Sequence, residues 1–228
     1  MAEPLLNRLI LVPGHGVCVD PGRPADDHSW AGNFPGEGSL YLEHIREGIK
    51  RAAEDTTALL VFSGGQTREE AGPRSEAQSY RDIAEHALWW GHESVSTRVK
   101  KEEYARDSFE NLLFSLALFR RECGAWPHAV TVVGWKFKQE RYGLHKRAIR
   151  LAPDNFLYAG INNPVGAALA EAEKGEKEKV KFVKKDMFLK GSEWASQRRT
   201  RDPFNRKHIY YGIDEELDEI LYFLADGN

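Results

Sequence analysis

The chain has 228 residues, 41% hydrophobic and 29% charged, with 32 basic residues against 35 acidic ones and a net charge of −3. That length suits one domain, or one domain with an extension, and buries a core without covalent staples. The charge balance argues against a nucleic-acid binder, which carries a basic excess. The two cysteines, Cys18 and Cys123, build no disulfide framework and lack metal-ligand spacing, so a reducing, cytoplasmic setting is expected.

Arg8 to Val12 is a short apolar run ended by Pro13-Gly14-His15-Gly16, which reads as a strand buried on both faces. It carries no secretory pattern, and no run in the chain approaches membrane length. A polar loop follows, punctuated by Pro21, Gly22, Pro24, Gly32, Pro35 and Gly36. From Ser39 to Asp55 the period becomes helical, with Tyr41, Ile45, Ile49 and Ala52 on one face. Ala58 to Phe62 is a second buried strand, ended by Ser63-Gly64-Gly65. Ser75 to Trp90 reads as a helix, with Ser75 and Gln78 as a capping box and Gly91 as its stop. Val95 to Val99 reads as a short strand. Asp107 to Cys123 is a helix with a Leu112, Leu116 and Phe119 stripe, ended by Gly124. Ala129 to Val133 is a strand, Gln139 to Leu151 a helix and Asn155 to Tyr158 a last strand.

This alternation predicts an α/β fold with a mainly parallel sheet of about five strands, covered on both faces over residues 1–160. Residues 161–228 read as a helical extension packed on that core. Within it, Val165 to Lys190 forms one or two surface helices interrupted at Gly175. Arg198 to Tyr211 is basic and aromatic, a packed wrap or a partner surface, and Asp214 to Leu224 closes as a helix.

Ligands of such sheets bind beyond the carboxyl ends of the strands, near a topological switch point. Gly14-His15-Gly16 lets backbone amides approach an anion, or is a plain turn with His15 facing solvent. The third glycine of a dinucleotide fingerprint is missing. Ser63-Gly64-Gly65-Gln66-Thr67-Arg68 combines backbone donors, hydroxyls and a guanidinium that suit an anion, or is again a turn. Its Ser63 lacks the Gly-x-Ser-x-Gly elbow of a serine nucleophile. Glu76 in a first helical turn, and the Asp107 and Glu110 pair, either cap helices or act as paired carboxylates for acid–base work. Lys138 and Arg141 lie near a strand end and can hold an anion, whereas His145 to Arg150 read as a solvated basic face. Asp26, Asp27 and His28 have no firm ligand spacing, so no metal site is expected.

The ordered set Gly14-His15-Gly16, Ser63-Gly64-Gly65 with Glu76, Asp107-Ser108-Phe109-Glu110-Asn111 and Phe137-Lys138-x-x-Arg141 resembles the YdcF/SanA/ElyC-like superfamily, domain of unknown function 218. The wording of the motifs is similar to its soluble, largely fungal branch, over about residues 8 to 160. The resemblance implies a Rossmann-like fold, S-adenosylmethionine binding as in some bacterial relatives, and site positions at Gly14, Ser63, Gly64, Gly65, Glu76, Glu110 and Asn111. Bacterial members often carry histidine at the place of Lys138, and a lysine is not a neutral base at the pH where a histidine is.

The expected function is a cytosolic small-molecule enzyme binding a nucleotide-like or other anionic ligand at the carboxyl edge of the sheet. Its catalytic candidates are Glu76, Glu110 and His15. Its ligand-binding candidates are Gly14, Gly16, Ser63, Gly64, Gly65, Gln66, Arg68, Asn111, Lys138 and Arg141. A cofactor-free hydrolase or lyase using paired glutamates and a non-catalytic ligand sensor are the alternatives.

Overall fold

The computed structural model of the chain describes residues 5–32, 35–213, 215 and 218. Strand β1 (Arg8–Pro13) leads to a small antiparallel pair, β2 (Val17–Cys18) with β3 (Trp30–Ala31). Helix α1 (Gly38–Glu54), β4 (Ala58–Ser63), α2 (Glu76–His86) and β5 (Val99–Glu102) follow. The chain continues through α3 (Ser108–Cys123), β6 (Ala129–Gly134), α4 (Gln139–Ala148) and β7 (Phe156–Gly160), then α5 (Gly166–Lys185) and α6 (Ser192–Thr200).

The five long strands form one parallel sheet in the order β5-β4-β1-β6-β7. Successive residues of a strand face opposite sides. Leu9 and Leu11 therefore bury against α3 and α4, while Ile10 and Val12 bury against α1 and α2. This is a Rossmann-like three-layer sandwich. The chain builds outward from β1 through β4 to β5, then returns past β1 to place β6 on its other edge. The loops after β1 and β6 thus leave neighbouring strands in opposite directions and open a crevice.

Four sequence readings change. The stretch Glu93–Arg98 is a 3-10 turn rather than a strand, and the strand begins at Val99. The turn lets the Arg98 guanidinium donate to the carbonyls of Ala52, Asp55 and Ala58, closing the end of α1. Helix α2 stops at His86, and Leu88, Trp89 and Trp90 take positive φ, which turns Trp89 into the core. Helix α4 stops at Ala148, before Arg150 at φ 56°. Helix α5 runs unbroken through Gly175. One glycine destabilises a helix by only about 1 kcal/mol, and buried Val180 and Val183 anchor this one.

Helix α3 is buried on nearly every side, because α5, α6 and the following wrap cover the face that the sheet leaves open. The 198–211 segment is a packed wrap, with Arg198 and Tyr210 almost fully buried. The expected closing helix over 214–224 lies outside the described residues apart from Glu215 and Asp218, both helical.

Candidate functional site

A cavity of about 420 Å³ opens at the carboxyl end of the sheet, where β1 and β6 diverge. Gly14 and His15 enter it from the loop after β1, Arg68 from the loop after β4, and Glu76 from the first turn of α2. Asn111 comes from α3, Trp135, Phe137 and Lys138 come from the turn that joins β6 to α4, and Arg141 comes from the first turn of α4. Helix α5 forms a wall through Ala168, Glu171, Ala172, Gly175, Glu176 and Lys179, and Arg201 reaches in from beyond α6.

Three of the loop glycines commit their amides to the chain itself. The Gly14 amide donates to Ser63 O, the Gly64 amide to Glu102 O and the Gly65 amide to Ala105 O. Their small size serves Glu76. A Cβ at Gly14 would lie 2.5 Å from the Glu76 Cβ, and one at Gly64 would collide with the same carboxylate. Gly64, Gly65 and Gly16 lie outside the cavity wall, Gly16 packing beside Trp30, Tyr41 and Ala31. Gln66 also lies outside and donates to the Pro73 carbonyl.

Two predicted carboxylates part company. Glu76 lines the cavity, accepts a 2.6 Å hydrogen bond from Thr67 Oγ1, and has its pKa raised by burial. Glu110 is fully buried below the wall. It receives Arg106 Nη2 at 2.7 Å and Arg198 Nε at 3.1 Å, while Asp107 caps the Phe109 and Glu110 amides and binds Arg198. The expected pairing of Glu76 with Glu110 gives way to a structural ion cluster that ties α6 to α3.

Ser63 is likewise internal. Its hydroxyl lies 2.7 Å from Glu102 and 2.8 Å from Asn111 Oδ1, so it positions Asn111 rather than meeting a ligand. Glu102 is a buried acid that the sequence reading passed over. Burial pushes its pKa up to about 7 despite hydrogen bonds from the Tyr104 and Ala105 amides.

His15 faces the crevice. Its ring stacks on Trp135 at 5.6 Å and meets Tyr41 and His44 edge-on or tilted. Burial, with Lys138 and His44 beside it, holds the imidazole well below its usual pKa. Lys138 Nζ lies 3.3 Å from His15 Nδ1. Burial and the neighbouring Arg141 lower the Lys138 pKa to about 7, so this lysine reaches the neutral form near the pH where a histidine would. Arg141 is buried against Glu176 at 2.9 Å. The Arg68 Nε is buried with no hydrogen-bond partner among the described residues.

Sequence reasoning missed Trp135, Tyr142, Lys179 and Arg201. One signal existed: Ala168, Ala172, Gly175 and Lys179 recur at helical spacing, small residues that leave room and a cation that closes the row. His145, read as solvated, is fully buried with Nε2 2.8 Å from Ser108 Oγ.

A Saccharomyces cerevisiae protein described as "Uncharacterized protein YOR238W" is 27% identical to this chain over an alignment of 259 residues, covering 89% of this chain and 86% of the yeast protein. No family model matches the chain. No solved structure matches it. Among the described residues no helix is long and apolar enough to cross a membrane, and no group of three potential metal ligands occurs.

Proposed function

We propose that this chain is a cytoplasmic small-molecule enzyme of the YdcF/SanA/ElyC-like superfamily that binds a phosphate-bearing or other compact anion in the switch-point cavity. One observation carries this reading: Arg68, Lys138, Arg141, Lys179 and Arg201 converge on one cavity, while Glu76 there is pushed toward its neutral form. An anion relieves the mutual repulsion of those cations, and guanidinium groups are suited to phosphate oxygens. The volume falls within the range of small-molecule sites, about 300–1,000 Å³.

Catalysis is supported by opposite shifts at neighbouring groups. Glu76 is raised and Lys138 is lowered to about 7, which brings both toward a proton-exchanging state near neutrality. A hydrolase built on paired glutamates loses its second member, because Glu110 is bound by Arg106 and Arg198. S-adenosylmethionine fits this donor set poorly. Its sulfonium and ammonium charges would meet the converging Arg68, Lys138, Arg141, Lys179 and Arg201, and burial disfavours the charged form of Glu76 that could oppose them.

Thermal unfolding with inorganic phosphate, pyrophosphate, nucleotides and S-adenosylmethionine tests the reading. A ligand at one hundred times its Kd adds about 2.7 kcal/mol, which raises Tm by roughly 5–10 °C for a chain of this size. The expected result is a rise with phosphate compounds that is lost in Arg68→Met and Arg201→Met. A rise with S-adenosylmethionine alone, or with no anion at all, overturns it.

A further inference from the structure

Lys138 closes the short 3-10 turn between β6 and α4, and its side chain lines the cavity beside His15. The groups around it come from four elements. Arg141 on α4, Lys179 on α5 and Arg201 beyond α6 press against a positive charge at Nζ, and Glu176 on α5 opposes them. Glu37, ahead of α1, is also within electrostatic reach, but burial holds its own carboxyl toward the neutral form. His15 and His44 are both held neutral. An amine in such a place loses its proton more readily than an exposed lysine.

A lysine kept only to bind an anion gains from staying charged. Here Arg68, Arg141, Lys179 and Arg201 already face the cavity, and burial together with the last three disfavours a charge on Lys138. What the free amine gains is a lone pair, and its Nζ lies 3.3 Å from His15 Nδ1, inside the cavity. Resting on the anion-site reading above, we infer that Lys138 is a Schiff-base nucleophile for an anionic aldehyde or ketone whose phosphate or carboxylate is held by Arg68 and Arg201.

In the step, the Nζ lone pair attacks the carbonyl carbon and a C–N bond forms. The carbonyl oxygen leaves as water, carrying the two amine protons, and a C=N bond remains. No oxidant or reductant takes part. The substrate class is a small 2-oxo acid or a phosphorylated aldehyde, because the cavity joins a nucleophilic amine to guanidinium groups in one space of about 420 Å³.

Full-length protein is incubated with glyceraldehyde 3-phosphate or glyoxylate, reduced with sodium borohydride, and mapped by peptide mass spectrometry. The expected result is a dominant adduct at Lys138, heavier by the carbonyl compound less one oxygen. Inorganic phosphate suppresses it, and a folded Lys138→Arg variant lacks it. Uncharged propionaldehyde shows no preference for Lys138. Adducts spread over the exposed lysines, or equal labelling of Lys179, overturn the inference. The two readings fail separately. If phosphate raises Tm but Lys138 is not trapped, the nucleophile falls and the anion site stands. If no anion raises Tm, the anion site itself falls.

Discussion

At the scale of single residues, this molecule is governed by what burial does to charge. Glu102 is the clearest case, fully buried and pushed up to about 7 from an ordinary value of 4.5. Below pH 4.5 it is protonated whether the chain is folded or not. Between pH 4.5 and 7 the unfolded chain ionises while the folded one keeps its proton, so stability falls as pH rises through that window. Above pH 7 the loss is complete, about 3 kcal/mol at 1.36 kcal/mol per pH unit. Glu102→Gln removes this component. Urea unfolding at pH 5 and pH 7.5 should therefore show a smaller loss for the variant than for the wild type, and equal losses would refute the assignment. Glu110 is also pushed up by burial, but guanidinium groups oppose that shift. It sits in a cluster with Arg106 and Arg198, which also pair with Asp202 and Asp107, so its removal takes one of two carboxylates from each buried guanidinium. The capping pair Asp107 and Glu110 is visible in the sequence, but the guanidinium partner comes from a segment some ninety positions later, which no local pattern announces.

At the scale of elements, α5 shows how a helix can serve as a wall. It presents Ala168, Ala172 and Gly175 toward the cavity and brings Lys179 and Glu176 to the rim. A Cβ built at Gly175 meets nothing within 4 Å. Gly175→Ala should therefore stabilise the protein by about 0.5–1 kcal/mol, because alanine loses less backbone entropy in a helix. Anion binding should be retained in that variant and lost in Gly175→Trp, whose ring would fill the cavity. Calorimetric unfolding and phosphate titration of both variants check this, and a destabilised Gly175→Ala variant would mean that the helix is not continuous there. The periodicity of α1 and α3 was legible because apolar residues recur at helical spacing. The extent of burial around α3 was not, since its outer face is covered by the wrap, far away in sequence.

At the scale of the whole molecule, the segment beyond α5 belongs to the core. Trp194, Arg198 and Tyr210 are buried against α3, and Arg201 reaches the cavity. Removing residues 191–228 strips that cover and leaves Asp107 and Glu110 without Arg198. The truncated chain should be insoluble or lack a cooperative transition in a thermal melt. A soluble truncation that melts like the full chain would show that the wrap is dispensable.

The alternation of buried apolar runs with helical periods was enough, by itself, to set the α/β class and the positions of four of the five main strands, the fifth lying at Val99–Glu102 rather than at residues 95–99. Such patterns are local, repeating every two or three to four residues, and the burial they encode is large. The membership of the site was decided only by tertiary structure. Strand order put the loop of His15 beside that of Lys138, 123 positions away. The fold then turned the glycine amides inward, sent Glu110 to an ion cluster, and brought α5 and Arg201 to the cavity. Charge and proton affinity depend on distance and burial in three dimensions, and neither is written in the spacing of residues along a chain.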